Sequence, residues 1–451
     1  MSSLFLMLAA PAIKRARLLA TVLLLLVAGS LAARVAAADL ALTLAEAQRL
    51  ALTRSQQLPA QDQAVIAARE LAVAAGQRPD PTLKIGIDNL PVSGDDKFSL
   101  TRDFMTMRRI GLMQEVTRSD KLTARAQRFR GVADKSLAEK ESAIAAIQRD
   151  TALAWLERYY AEQLGAAIGG QVAAARREVQ AADSAYRGGR GNQADLFNAR
   201  SALVAIEDRQ SEAERRIRNA RILLARWSGA PADTPLSGMP AIDTVRLDPA
   251  TLDTTLDHHP QFAALRSQEA IARAEADLAL ANRKTDWSVE VAFQQRGSAY
   301  SNMVSVGLSL PLQWDQKNRQ NRELQAKLAA VEQVKDERAE LLRTHIAETR
   351  TMVNDWENGR ERIARYQNQL LPLARERTAA LLGAYRGGKA GLADVLAARR
   401  NELEVQQQAL TLQADTAKLW AQLNFLFPDT QALPAALQSS PEHINLNSDS
   451  K

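Results

Sequence analysis

The feature that most narrows what this chain can become is a short stretch that occurs twice. Ala185 to Arg200 reads Ala-Tyr-Arg-Gly-Gly-Arg-Gly-Asn-Gln-Ala-Asp-Leu-Phe-Asn-Ala-Arg, and Ala384 to Arg399 reads Ala-Tyr-Arg-Gly-Gly-Lys-Ala-Gly-Leu-Ala-Asp-Val-Leu-Ala-Ala-Arg, identical at nine of sixteen positions. Each copy breaks a long helical pattern with a Gly-Gly pair and places an Asp where the next helix starts. Gly188, Gly189, Gly387 and Gly388 supply the left-handed backbone on which helices stop. Asp195 and Asp394 suit the electropositive beginning of a helix, as caps or first-turn anions. Both stretches read as tips of helical hairpins, and a doubled tip predicts a doubled hairpin.

The flanking patterns repeat as well. A first repeat covers 39–228 and a second 250–427, with a Pro/Gly/Thr-rich linker at 229–249. The first opens with a capping box, Thr43-Leu-Ala-Glu46, and one amphipathic helical pattern running to Gly76. Then the period changes. Leu83, Ile85 and Ile87 alternate with Lys84, Gly86 and Asp88, and a second segment from Phe104 to Gln114 carries Ile110 and Leu112 on one parity. These predict a strand hairpin at about 82–115. Its counterpart lies at about 286–313: Trp287, Val289, Val291 and Phe293 alternate with Ser288, Glu290, Ala292 and Gln294, then Val304, Val306, Leu308, Leu310 and Leu312 alternate with Ser305, Gly307, Ser309 and Pro311. Ile110-Gly111-Leu112 aligns with Val306-Gly307-Leu308, so the strand pair is duplicated too. Each strand is expected to run about ten residues, enough to cross a bilayer when tilted.

Long helical patterns follow each hairpin. One runs from Ser119 to Gly188, expected to soften near Gly165, Gly169 and Gly170. The other runs from Lys317 to Gly388, on the order of 100 Å at 1.5 Å per residue, with Pro372 expected to break or kink it. The return helices carry Leu196, Leu203, Gln210, Ile217 and Leu224, and Leu396, Leu403, Leu410 and Ala417, at intervals of seven. That spacing implies a narrow, left-handed supercoiled seam.

Aromatic residues make up only 5% of the 451 residues, which fits long helices with thin cores better than ordinary globules. Residues 1–38 read as a secretory signal: Lys14, Arg15 and Arg17, an apolar run from Leu18 to Ala28, and Ala36-Ala37-Ala38 before Asp39. Elsewhere the sequence has no stretch apolar enough for a spanning helix, so a membrane span must be made of strands. The signal holds four basic and no acidic residues; without it, 54 basic face 52 acidic residues, interspersed, which argues against nucleic acid as a partner. Cysteine is absent, which excludes disulfides, thiolate metal sites and lipidation of the mature start. The polar segment 428–451 is expected to be disordered.

Four amphipathic strands cannot close a barrel, since bacterial barrels begin at about eight. An open edge in lipid leaves backbone groups unpaired at several kcal/mol each. Other copies of the chain must complete the sheet, and the long helices would then prolong the barrel as a tube.

The doubled plan, the Leu-Thr-Leu-Ala-Glu-Ala opening at Leu42 to Ala47 and the paired Tyr-x-Gly-Gly tips resemble the TolC-type outer membrane factor family, over roughly Leu42 to Phe427. Phe104-Met-Thr-Met-Arg-Arg-Ile-Gly and the missing cysteine are most similar to its heavy-metal efflux subgroup (cobalt/zinc/cadmium or copper/silver). The resemblance implies a mainly α protein with membrane β-barrel strands: a homotrimer with a twelve-stranded barrel in the outer membrane of a Gram-negative bacterium and an α-helical tunnel in the periplasm. It implies docking of the tips, through Tyr186, Gly188, Gly189, Tyr385, Gly387 and Gly388, to a periplasmic adaptor (membrane fusion) protein and an inner-membrane proton-driven pump. It places Asp195 and Asp394 at the gated entrance. Where relatives can carry a second Asp or a gating Arg, this chain has Ala397 and Ala390, so Arg190 or Lys389 pairing with a tip Asp is the expected latch.

Other chemistry is weakly signalled. His258-His259 begins a helix without a carboxylate grid, and Met105, Met107 and Met113 share a strand parity better suited to neutral barrel lining than to a soft metal. The Gly-Gly pairs lack the preceding strand and following Gly-Lys-Ser/Thr of a phosphate loop. No nucleophile or acid–base set is visible, so neither an enzyme nor a cofactor is expected. The competing readings are a periplasmic coiled-coil adaptor or scaffold without a channel, and a channel of the same fold carrying drugs or secreted proteins.

Overall fold

A computed structural model describes residues 41–189, 191–248, 251–430 and 433–434; the signal segment, Arg190 and most of the expected disordered tail lie outside the described residues. The chain forms α1 (Leu44–Arg54), α2 (Gln57–Ala75), β1 (Thr82–Asp88), β2 (Met107–Val116), α3 (Ser119–Arg187) and α4 (Gln193–Ser228). The plan then recurs as α5 (Leu252–Asp257), α6 (Pro260–Ala281), β3 (Trp287–Gln295), β4 (Met303–Ser309), α7 (Gln320–Arg365), α8 (Leu371–Arg386) and α9 (Leu392–Asn424).

The first helical pattern is two helices. Thr43 caps α1 by accepting from the Glu46 N–H, and the chain leaves helical geometry at Ser55, whose N–H bonds to Leu52 O. α3, in contrast, is unbroken for 69 residues, about 100 Å at the helical rise. The glycines expected to soften it do not. A Cβ at Gly165 would sit 2.6 Å from Ile217 Cδ1 on α4, so this glycine allows the hairpin arms to close on each other. Ala199, Ala213 and Ala220 are buried along the same seam beside Leu196 and Leu224, which lets α4 lie close to α3.

Pro372 perturbs its helix in a specific way. It enters at the first turn of α8, directly after a π-helical turn at Tyr366–Leu370, so α7 continues into α8 without a gap. Proline lacks the N–H that an α-helix needs and its ring presses on the preceding turn; one wider turn relieves both.

Between the repeats, 230–248 is packed structure rather than a loose linker. Three indoles donate to carbonyls of the entering and connecting segments: Trp155 to Leu42 at 3.0 Å, Trp356 to Ile242 at 3.1 Å and Trp420 to Thr244 at 2.8 Å. With Leu156, Leu224, Leu256 and Leu423 they make the largest core among the described residues, a girdle part-way along the helices. The segment just after α9 is tied in by Gln148, which accepts from Asp429 N–H at 2.7 Å and donates to its carbonyl at 3.0 Å.

Candidate functional site

The strands form one antiparallel sheet in the order β1-β2-β3-β4, so the two repeats join edge to edge at β2–β3. Observed strand lengths are 7, 10, 9 and 7 residues; β2 begins at Met107 rather than Phe104, and Leu310 and Leu312 lie past the end of β4. The alternation holds through the middle of the sheet and is interrupted towards its ends, where Arg108 stands between Ile87 and Gln295 and Gln114 stands opposite Val289. Leu83, Leu112, Val291 and Val306 stand in one row, and Ile85, Ile110, Phe293 and Val304 in another. This face is open: Ile85 is 76%, Val306 74% and Leu308 70% exposed.

The opposite face is polar. Glu290 on β3 pairs with Lys84 on β1 at 2.7 Å and with Arg109 on β2, and Arg109 also reaches Asp88 at 3.8 Å. Gln294 donates to Ser305 Oγ at 3.1 Å. Met107 and Met113 share this polar parity, whereas Met105 precedes the strand. Because two carboxylates balance two cations, this network carries little net charge, and it spans three strands and both repeats. The sheet is thus apolar on one face and mainly polar on the other. β1 and β4 each pair with a single described neighbour, leaving two free edges.

The sheet is anchored to the helices. Lys121, buried at the start of α3, pairs with Asp286 at 2.7 Å, and the other oxygen of Asp286 accepts from Arg118 N–H at 3.0 Å. At the far end, Arg296 donates to Phe104 O, joining the loop 89–106 to the loop 296–302. No helix among the described residues is long and apolar enough to cross a membrane.

The helical tips lie at the opposite end. Only the second glycine of each pair is left-handed: Gly189 and Gly388 hold φ +71° and +68°, whereas Gly188 and Gly387 stay at −81° and −84°, and each turn returns an N–H to the helix it ends, Gly191 to Ala185 O at 3.0 Å and Lys389 to Ala384 O at 2.8 Å. The two Asp residues are not equivalent. Asp394 accepts from Gly391 N–H at 3.1 Å, so it caps α9. Asp195 does not cap α4; Asn192 does, accepting from the N–H of Asp195 at 2.7 Å. Tyr186 is exposed, whereas Tyr385 packs with Leu392, Leu396, Leu196 and Ala182 in a small core that holds the tips side by side. Lys389 is exposed and makes no ion pair among the described residues, while Arg190 lies outside them.

One contact here escaped sequence reading. Arg399, the last residue of the repeated stretch, donates to Glu178 at 3.0 Å, linking the second hairpin to the first. Burial pushes the Glu178 carboxyl above its ordinary range, against the pull of Arg399. The partners lie 221 positions apart, and only the duplicated Arg hinted at either.

His259 has structural work: it caps α6 by accepting from Gln261 N–H at 3.2 Å, and its Nε2 bonds Leu426 O at 2.8 Å. Both ring nitrogens are thus engaged. Among the described residues no group of three or more His, Cys, Asp or Glu could hold a metal ion.

No family model and no curated protein matches the sequence. Solved structures do. The outer-membrane channel OprN superposes with a TM-score of 0.73 at 17% identity, covering 86% of this chain and 90% of that one. The fold is that of the TolC-type outer membrane channels. VceC, an outer membrane protein of Vibrio cholerae, matches with TM-score 0.68 at 17% identity over 85% of this chain and 95% of its own. The open state of the Neisseria gonorrhoeae channel MtrE matches with TM-score 0.66 at 15% identity over 85% and 88%. The doubled hairpins, the single sheet built from both repeats and the tips of this chain are therefore features of a TolC-type architecture.

Proposed function

We propose that this chain is the outer membrane channel subunit of a tripartite efflux system. The observation that carries the reading is the open four-stranded sheet with one exposed apolar face, one polar face and two free edges. Three copies joined edge to edge give twelve strands, enough for a closed barrel, and leave no unpaired edge in lipid. The apolar rows then meet hydrocarbon and the Glu290 network lines water. α3, α4, α7, α8 and α9 prolong the barrel as a tunnel on the periplasmic side.

Conduction is passive. Energy comes from an inner-membrane pump, coupled through a periplasmic adaptor that docks on the Gly-Gly turns and Tyr186. Asp195, whose carboxylate is not engaged in capping, lines the entrance, and Arg190 or Lys389 of an adjacent hairpin closes on it. Asp394 contributes to the same ring while holding the start of α9. The cargo we assign is heavy-metal cations, on the likeness of Phe104 to Gly111 to the metal-efflux subgroup. A deletion strain grown against zinc, cobalt, cadmium, copper and silver tests this: metal sensitivity restored by the gene supports it, and sensitivity to organic drugs alone overturns the cargo. Sensitivity to none of these compounds would overturn the efflux role itself.

A further inference from the structure

The duplication allows the contacts within one copy to be compared with those its free faces lack. Each residue of the second tip stands 199 positions after its counterpart, as Ala384 does after Ala185. Within the chain, α9 packs on α3. Ala174, Glu178 and Ala182 on α3 meet Leu396, Arg399 and Leu403 on α9, and Glu178 with Arg399 forms the ion pair that seals this seam.

Moving each side by one repeat gives two faces that nothing covers. The counterparts of the α3 residues are Leu373, Arg377 and Leu381 on α8; Leu373 is 61% exposed. The counterparts of the α9 residues are Phe197, Arg200 and Val204 on α4, where Phe197 is 55% and Val204 64% exposed. Two apolar stripes, each with an arginine at its centre, lie on the outer arms of the two hairpins. The occupant each requires is the other stripe, carried by a second copy of this chain, because the same two repeats already pack this way inside one copy.

The chemistry of the two seams differs at one place. Glu178 faces Arg399 within a copy, but its counterpart between copies is Arg377, which faces Arg200. Glu376 does not repair this: its counterpart Arg177 is exposed, off the packed face of α3. We propose that the copy-to-copy seams near the tips carry facing guanidiniums where the within-copy seam carries a carboxylate–guanidinium pair, so that at the entrance the seams between copies are the weaker ones. Like charges held together repel, and opposite charges on hydrogen-bonding groups attract with directional strength.

The inference rests on the trimeric channel reading above, and the experiment separates the two. The chain has no cysteine, so R200C/R377C in membranes treated with a short bis-maleimide reports only this pair. The expected result is a ladder of covalent dimers and trimers; intact trimers without cross-linked species overturn the seam. The charge variants test its chemistry. R377E is expected to raise the trimer dissociation temperature by several degrees and lower single-channel conductance, and R377E/R200E to undo both. An R377E effect that R200E does not reverse, or no effect, overturns the proposal. Failure of the natural protein to form trimers overturns the channel reading itself.

Discussion

A pair of neighbouring substitutions separates a lipid-facing sheet from one packed in a soluble protein. Val306 and Ser305 are adjacent in β4 and point to opposite faces: Val306 joins the row with Val291, Leu112 and Leu83, and Ser305 stands opposite Ala292 on the polar face. In a single chain in water, Val306 is one of the most exposed apolar residues, 74% open, and an arginine there would cost almost nothing. In a bilayer, an arginine at mid-depth on the lipid face costs about 2–4 kcal/mol per copy. At about 1.4 kcal/mol per tenfold, that is roughly 30- to 1,000-fold in the folding equilibrium of each copy, and three copies bear it together. Arginine at 305 loses only the hydrogen bond from Gln294, worth about 0.5–1.5 kcal/mol, and extends into water. Refolding into lipid vesicles under a urea series, read by the appearance of heat-resistant oligomers, gives the comparison. V306R should fail at urea concentrations where S305R still folds. Equal tolerance of both, or a worse outcome for S305R, would refute the assignment of faces.

Other outcomes follow from the same geometry. Gly111 lies against the neighbouring strand, where an added Cβ would stand 2.9 Å from Ala292 Cβ, whereas Gly307 has only Glu290 Cβ nearby at 3.9 Å. Gly111→Val should lower stability in the refolding assay by about 1–3 kcal/mol, and Gly307→Ala by much less. Trp155→Phe keeps most of a fully buried ring but removes one of the two donors to the Leu42 carbonyl, leaving the Ser237 N–H at 3.3 Å; a loss of about 0.5–1.5 kcal/mol is expected in denaturant unfolding. Burial, reinforced by the neighbouring His345, holds His259 down to about 4. It is therefore neutral in the fold while the unfolded chain titrates near 6.5. Its contribution is complete above that range and lost as pH falls toward 4, by about 3 kcal/mol at most. The unfolding midpoint should drop between pH 7 and pH 4.5, and His259→Asn should flatten that dependence. Asn192→Ala should destabilise the first tip by about 1 kcal/mol through the lost cap, whereas Asp195→Asn should cost only about 0.3 kcal/mol, from the lost first-turn charge, and alter conductance.

Much of the architecture was legible because duplication and period are local signals. The Gly-Gly turns, the apolar parity of Leu83 to Ile87 and of Trp287 to Phe293, and the seven-residue rows on α4 and α9 could be read without tertiary knowledge. Strand ends could not, since pairing decides them: Leu310 and Leu312 keep the alternation but fall beyond the last partnered residue of β4. The glycines of α3 misled for a related reason. Propensity treats Gly165 as a weak point, but a packed helix overrides propensity, and the missing side chain serves the contact with Ile217. The packed segment after α4 and the Glu178–Arg399 pair each depend on residues far apart in sequence. The different duties of Asp195 and Asp394 turn on one neighbour: Asn192 takes the capping role at the first tip, and Gly391, without a side chain, leaves the carboxylate of Asp394 as the group that bonds the helix start.

The account stands on the sheet being completed by other copies in lipid. Purified protein added to a planar bilayer, with its mass measured in the same detergent, tests this most directly. The expected result is a threefold assembly that gives discrete, long-lived conductance steps. A stable water-soluble monomer that leaves the bilayer silent would contradict it.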